Sequence, residues 1–147
     1  MTAVRNVISI GALALSVTAA SAAGNTSFSA NTIKGTYVFT EQGSTSNNAP
    51  YSGLGSITLD GVSNAIGTET IQSTGSNVTT AFTGSYTVNA DGSGTITVMH
   101  TIPSADASAD PVTFEAKYRI LLVKSGQELR AIRQENGIFV ITTFVQQ

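Results

Sequence analysis

Cysteine is absent from the 147-residue chain. No disulfide can brace the fold, so the domain relies on its core, and a structural zinc site is excluded. Histidine occurs once, at His100, which rules out a catalytic metal held by three histidines. A Ser-His-Asp hydrolase would have to use His100, yet the chain has no G-x-S-x-G elbow and no strand-to-helix turn to hold one. Charge is scarce as well. Asp, Glu, Lys and Arg make up 11% of the residues, well below the ~25% of an average domain. Without a cluster of cations, nucleic acid and anionic membrane surfaces are poor partners.

The one long hydrophobic run stands at the start. Residues 1–6 carry a single charge, Arg5, and residues 7–20 are uncharged and mostly apolar. Ala20-Ser21-Ala22 then presents the small residues that a signal peptidase requires. The run is shorter than the ~20 apolar residues of a membrane-spanning helix. Residues 1–22 therefore read as a secretory signal, cut after Ala22 or Ala23, and the mature chain as a secreted or periplasmic protein without a membrane span. Removing Arg5 leaves six Lys and Arg against nine Asp and Glu, a net charge of −3.

Helical periodicity is missing from the rest of the chain, and period-two alternation replaces it. Residues 23–34 read as a flexible lead-in and 35–147 as one domain. Eight strands are predicted, over 36–41, 53–59, 65–73, 78–88, 95–101, 112–124, 128–134 and 138–145. Clusters of Gly, Asn, Asp and Ser separate most of them. In two of these, Asp60 and Asp91 precede glycines, as side chains that cap their own turns do. Short connections make sequential strands neighbours. An up-and-down antiparallel barrel follows, because pairing of the first and last strands removes both exposed edges. The glycines at 67 and 84 suit the bends of closure. An open two-sheet sandwich is the alternative.

Asn136-Gly137 and Ser125-Gly126 are candidate two-residue turns. Together they would set Leu122 opposite Leu129, Ile120 opposite Ala131, Tyr118 opposite Arg133, and Arg133 opposite Val140. Phe114, Tyr118, Ile120, Leu122, Leu129, Ala131, Val140 and Phe144 then share the core face. The opposite face carries Leu121, Val123, Ile132, Phe139 and Ile141, an apolar stripe suited to a homo-oligomer contact.

The chemistry-bearing residues are few. Glu41, Glu69, His100 and Arg133 all fall on the core-bearing face. Ionised groups there must pair with one another, line a polar lumen, or sit at the rim where the barrel meets water. His100 alone reads as a strand-end histidine beside a loop. Asp106 and Asp110 lack the spacing of a calcium loop, so no metal is expected.

The runs Gly35-Thr36-Tyr37-Val38-Phe39, Leu59-Asp60-Gly61-Val62-Ser63-Asn64 and Gly84-Ser85-Tyr86-Thr87-Val88-Asn89-Ala90-Asp91-Gly92-Ser93-Gly94-Thr95 resemble a group of small, uncharacterised exported bacterial β proteins. More distantly, their rhythm is similar to barrels of the lipocalin and allene-oxide-cyclase type. The resemblance implies a barrel and carries no active residue with it.

Three functions are consistent with this reading. The first is an exported binding or structural module, whose hydrophobic small-molecule ligand would touch Tyr37, Phe39, Phe82, Tyr86, His100 and Phe114. The second is a cofactor-free cyclase or isomerase using Glu41, Glu69, Tyr118 and Arg133. The third is a structural envelope or matrix protein with a filled core. An interior cavity of at least ~300 Å³ would separate the first two from the third.

Overall fold

The computed structural model describes residues 27–104, 109–135 and 137–147. The expected signal peptide, Asp106 and Asn136 lie outside the described residues. Eight strands follow in chain order: β1 (Gly35–Ser44), β2 (Pro50–Leu59), β3 (Asn64–Ser73), β4 (Ser76–Val88), β5 (Ser93–Ile102), β6 (Val112–Val123), β7 (Glu128–Arg133) and β8 (Phe139–Gln146). Each pairs antiparallel with the next, and β1 pairs with β8, so the sheet is a closed up-and-down barrel.

Alternation decides which face goes in. Along β6, Ala116, Tyr118, Ile120 and Leu122 are buried, while Glu115, Lys117, Arg119 and Leu121 are exposed. The predicted register holds. Leu122 faces Leu129, Ile120 faces Ala131 and Tyr118 faces Arg133, while Ala131 faces Thr142 and Leu129 faces Phe144. The β7–β8 ladder ends at Ile132 and Ile141, with an isolated bridge from Glu135 to Ile138 beyond it. The β6–β7 connection spans 124–127, where Lys124 (φ 50°), Ser125 (φ 59°, ψ 33°) and Gly126 (φ 90°) all take positive φ and the Gln127 N–H donates to the Lys124 carbonyl at 3.3 Å.

Two expectations need correction. The long connection predicted over 42–52 is mostly strand, since Gly43 pairs with Tyr51 and Ser44 with Pro50. Five loop residues suffice because Asn48 (φ 59°) turns the chain, and the Thr45 N–H donates to the Ala49 carbonyl at 2.9 Å. Pro50 is tolerated as the first residue of its strand. The second correction concerns the lead-in. Its described part, from Ser27, stoppers one end of the barrel instead of trailing from it. Ala30–Ile33 form a 3-10 turn; Ile33 is fully buried, and Phe28 packs against the core. This plug lies against three loops of that end, at Gly61, Gly92 and Gly126.

The turn aspartates behave as expected. Asp60 Oδ1 accepts from the N–H groups of Val62, Ser63 and Asn64 at 2.8–2.9 Å. These bonds hold its carboxyl well below the usual range. Outside the barrel, Leu121, Ile132, Phe139 and Ile141 are each about half exposed. Val123, placed with them by its parity, is only partly exposed.

Candidate functional site

Opposite the plug, the other end of the barrel gathers the polar residues of the interior. Glu41, Glu69, His100 and Arg133 are all buried, at 1%, 2%, 1% and 7% exposure. The alternative of groups lying out at a wet rim is thereby set aside. Each comes from a different strand, and each lies within four residues of the strand end at this mouth.

Glu41 Oε1 accepts from the Thr142 hydroxyl at 2.9 Å. Glu69 Oε1 accepts from the Tyr51 hydroxyl at 3.2 Å, and Glu69 Oε2 lies 3.8 Å from His100 Nε2. On its other side, His100 Nδ1 is 2.8 Å from the Thr80 hydroxyl. The imidazole lies flat on Phe114, with ring centres 4.6 Å apart. Beyond it, Phe82, Phe39 and Phe144 continue a chain of rings across the barrel, at 5.0–6.2 Å between centres. Gly53 makes room for the acids: a Cβ there would stand 2.2 Å from Glu69 Oε1.

Burial sets the protonation states. It pushes Glu69 up to about 8, with the charge and hydrogen bond of Glu41 adding to the shift. Glu69 therefore keeps its proton at neutral pH. Glu41 Oε2 has no hydrogen-bond partner among the described residues. His100 is pushed down to about 4, first by burial and then by the nearby Arg133 charge, so it is neutral. Tyr118 is raised by burial and then by Glu41. Burial alone would lower Arg133, but Glu135 overrides it. The guanidinium donates to both Glu135 carboxylate oxygens, at 2.8 and 3.0 Å, and lies over Tyr51 and Phe114. The mouth thus holds one protonated carboxyl, Glu69, one neutral imidazole and one closed ion pair.

No protein-family model, curated protein or solved structure matches this chain. The eight-stranded antiparallel barrel that the resemblance implied is present; the comparisons give no support to a likeness with exported or lipocalin-type proteins.

The four candidate catalytic residues, Glu41, Glu69, Tyr118 and Arg133, come together electrostatically at the mouth. The candidate ligand contacts divide. Phe39, Phe82, His100 and Phe114 form the ring chain, whereas Tyr37 and Tyr86 lie toward the plug. There the Tyr37 hydroxyl donates to the Gly126 carbonyl at 2.6 Å, and the Tyr86 hydroxyl accepts from the Gly61 N–H at 2.8 Å. Sequence reasoning missed Tyr51, Thr80 and Glu135. Strand parity with Phe82 would have found Thr80; Tyr51 was hidden in an assumed loop, and Glu135 lies beyond its strand.

The space at the centre of these groups is about 10 Å³, lined by Phe39, Glu41, Glu69, Phe82, His100 and Tyr118 among others. That is room for about one water molecule. Among the described residues, no group of three His, Asp or Glu side chains could hold a metal, and no helix is long and apolar enough to cross a membrane.

Proposed function

We propose that this protein is a structural module of the exported envelope or matrix kind, a solid barrel that works through its outer wall and associates with its own copies. The observation that carries the reading is the filled interior. A space of about 10 Å³ falls far short of the ~300 Å³ at which ligand sites begin. It admits neither a hydrophobic cargo nor the substrate of a cyclase. Apart from Glu41 Oε2, the polar groups of the mouth that form hydrogen bonds find their partners among one another, as in a packed core.

The outer wall supplies the contact. Ile132 and Ile141 face each other across β7 and β8, Phe139 follows Ile141 on the same face, and Val145 faces Val38 across β8 and β1. All are more than a third exposed, and the Arg130–Thr143–Thr40 row lies between the Ile132–Ile141 row and the Val145–Val38 row. The described N-terminal segment is committed to plugging the barrel end and does not cover this face. A second copy covers it most simply, since a two-fold contact sets one patch on its own equivalent.

Sedimentation tests this directly. The protein is expected to associate at micromolar concentration, and Ile141→Lys to return it to a monomer with an unchanged far-ultraviolet circular dichroism spectrum. A strict monomer rejects the self-contact. Stoichiometric uptake of a fluorescent fatty acid into the interior rejects the filled-barrel reading independently.

A further inference from the structure

The outer faces of β1–β5 show no charge to solvent. Tyrosines apart, the ionisable side chains of these five strands are Glu41, Glu69 and His100, and all three point inward. The exposed charges Glu115, Lys117, Arg119 and Arg130 belong to β6 and β7.

A shallow depression of about 540 Å³ lies on this neutral wall, across β1, β2, β3 and the start of β4. The strand register explains its shape. Gln42, Ser52, Gln72 and Asn77 stand on one cross-strand row, with Leu54 on the row beside it. Ser52 is short and stands between two long glutamines, so the row dips at β2. With strands ~4.8 Å apart, the two glutamine rims are ~10 Å apart. The amides of Gln42, Gln72 and Asn77 are exposed and engage no other group among the described residues.

We propose that this depression binds a neutral oligosaccharide. Each free amide offers two donors and an acceptor, a set that exchanges hydrogen bonds with sugar hydroxyls. Leu54, 62% exposed, presents an apolar spot to the C–H face of a ring. An ionic polymer would find no counter-charge on the wall. An extended peptide would seek a free strand edge, and the closed barrel has none. The site lies on β1–β4 and adjoins the Ile132–Ile141 contact at one edge, where Gln42 faces Ile141 across β1 and β8; its hydrogen-bonding groups do not depend on self-association.

Nitrogen-15 correlation spectra, recorded during titration with cellotetraose, maltotetraose, xylotetraose and chitotetraose, test the proposal. At least one of these sugars at ~10 mM should move the side-chain amide signals of Gln42, Gln72 and Asn77, a concentration suited to millimolar affinity. The Gln42→Ala, Gln72→Ala double variant should weaken that binding about ten-fold, since two hydrogen-bonding groups are lost. Both sites are solvent-facing, so the variant is expected to fold. Three results would overturn the inference: no response to any of the four sugars, an equal response to trigalacturonate, or shifts that follow protein concentration instead of sugar.

Discussion

Gly67→Ala should destabilise the domain by about 3 kcal/mol, at the upper end of what forced overpacking costs. A Cβ at this position would stand 2.1 Å from the Ser56 carbonyl oxygen, and 2.4 and 2.7 Å from Cζ and Cε2 of Phe82. The carbonyl belongs to the neighbouring strand, since Ser56 pairs in the β2–β3 ladder, and cannot swing aside as a flexible side chain can. Phe82 is equally constrained. It is 4% exposed and sits between Phe39 and His100 in the ring chain, so displacing it presses on both. Its ring fills the face that glycine leaves open, which is why the sheet can tolerate a glycine in mid-strand. The adjacent Ile66 points outward and is 60% exposed, so Ile66→Thr should change stability by less than ~0.5 kcal/mol. Shortening the ring in a Gly67→Ala, Phe82→Leu double variant should not restore stability, because the clash with the backbone remains. Urea midpoints of the four proteins check all of this. A Gly67→Ala loss smaller than about 1 kcal/mol would show that the two strands can separate there at little cost.

The same geometry explains what could be read before any coordinates. Alternation names the inward residues, and it placed Glu41, Glu69, His100 and Arg133 inside correctly because a strand has only two faces. Closure followed from the need of the first and last strands for partners. Depth along the barrel is a different matter. Parity does not distinguish a residue at the wet rim from one sealed beneath it; that depends on how far β1 and β2 run past Glu41. Gln42-Gly43-Ser44 and Pro50-Tyr51-Ser52 have no apolar alternation to announce a strand, yet the ladder continues through them. Their pairing brings Tyr51 inside, over Glu69. The plug was equally hidden. Ile33 is one apolar residue in a polar stretch, and its burial depends on three loops distant in sequence. The volume of the interior, which separates carrier from solid barrel, depends on how Phe39, Phe82 and Phe144 interlock, and no local pattern encodes that.

Stability should be level between about pH 4.5 and 6.5 and then fall by about 2 kcal/mol as the pH rises to 8, a slope of ~1.4 kcal/mol per unit for one proton. Two buried groups produce this shape. Glu69 has its ordinary value of 4.5 when unfolded and about 8 when folded. Its contribution is complete below pH 4.5 and drains away as the pH climbs toward 8, because only the native state holds the proton across that interval. His100 works in the other direction. It is 6.5 when unfolded and about 4 when folded, so its contribution is complete above pH 6.5 and is lost as the pH falls through 4. Between 4.5 and 6.5 the two slopes are opposite and cancel; above 6.5 only Glu69 acts. Glu69→Gln isolates the effect, since its amide is shaped like the protonated acid and can still donate a hydrogen bond to Glu41. The variant should lose the alkaline decline and instead gain stability from pH 4.5 to 6.5, where His100 is left unopposed. Urea unfolding at half-unit pH intervals reads both curves. A wild-type curve that is flat or rising between pH 6.5 and 8 would mean that Glu69 is ionised in the native barrel.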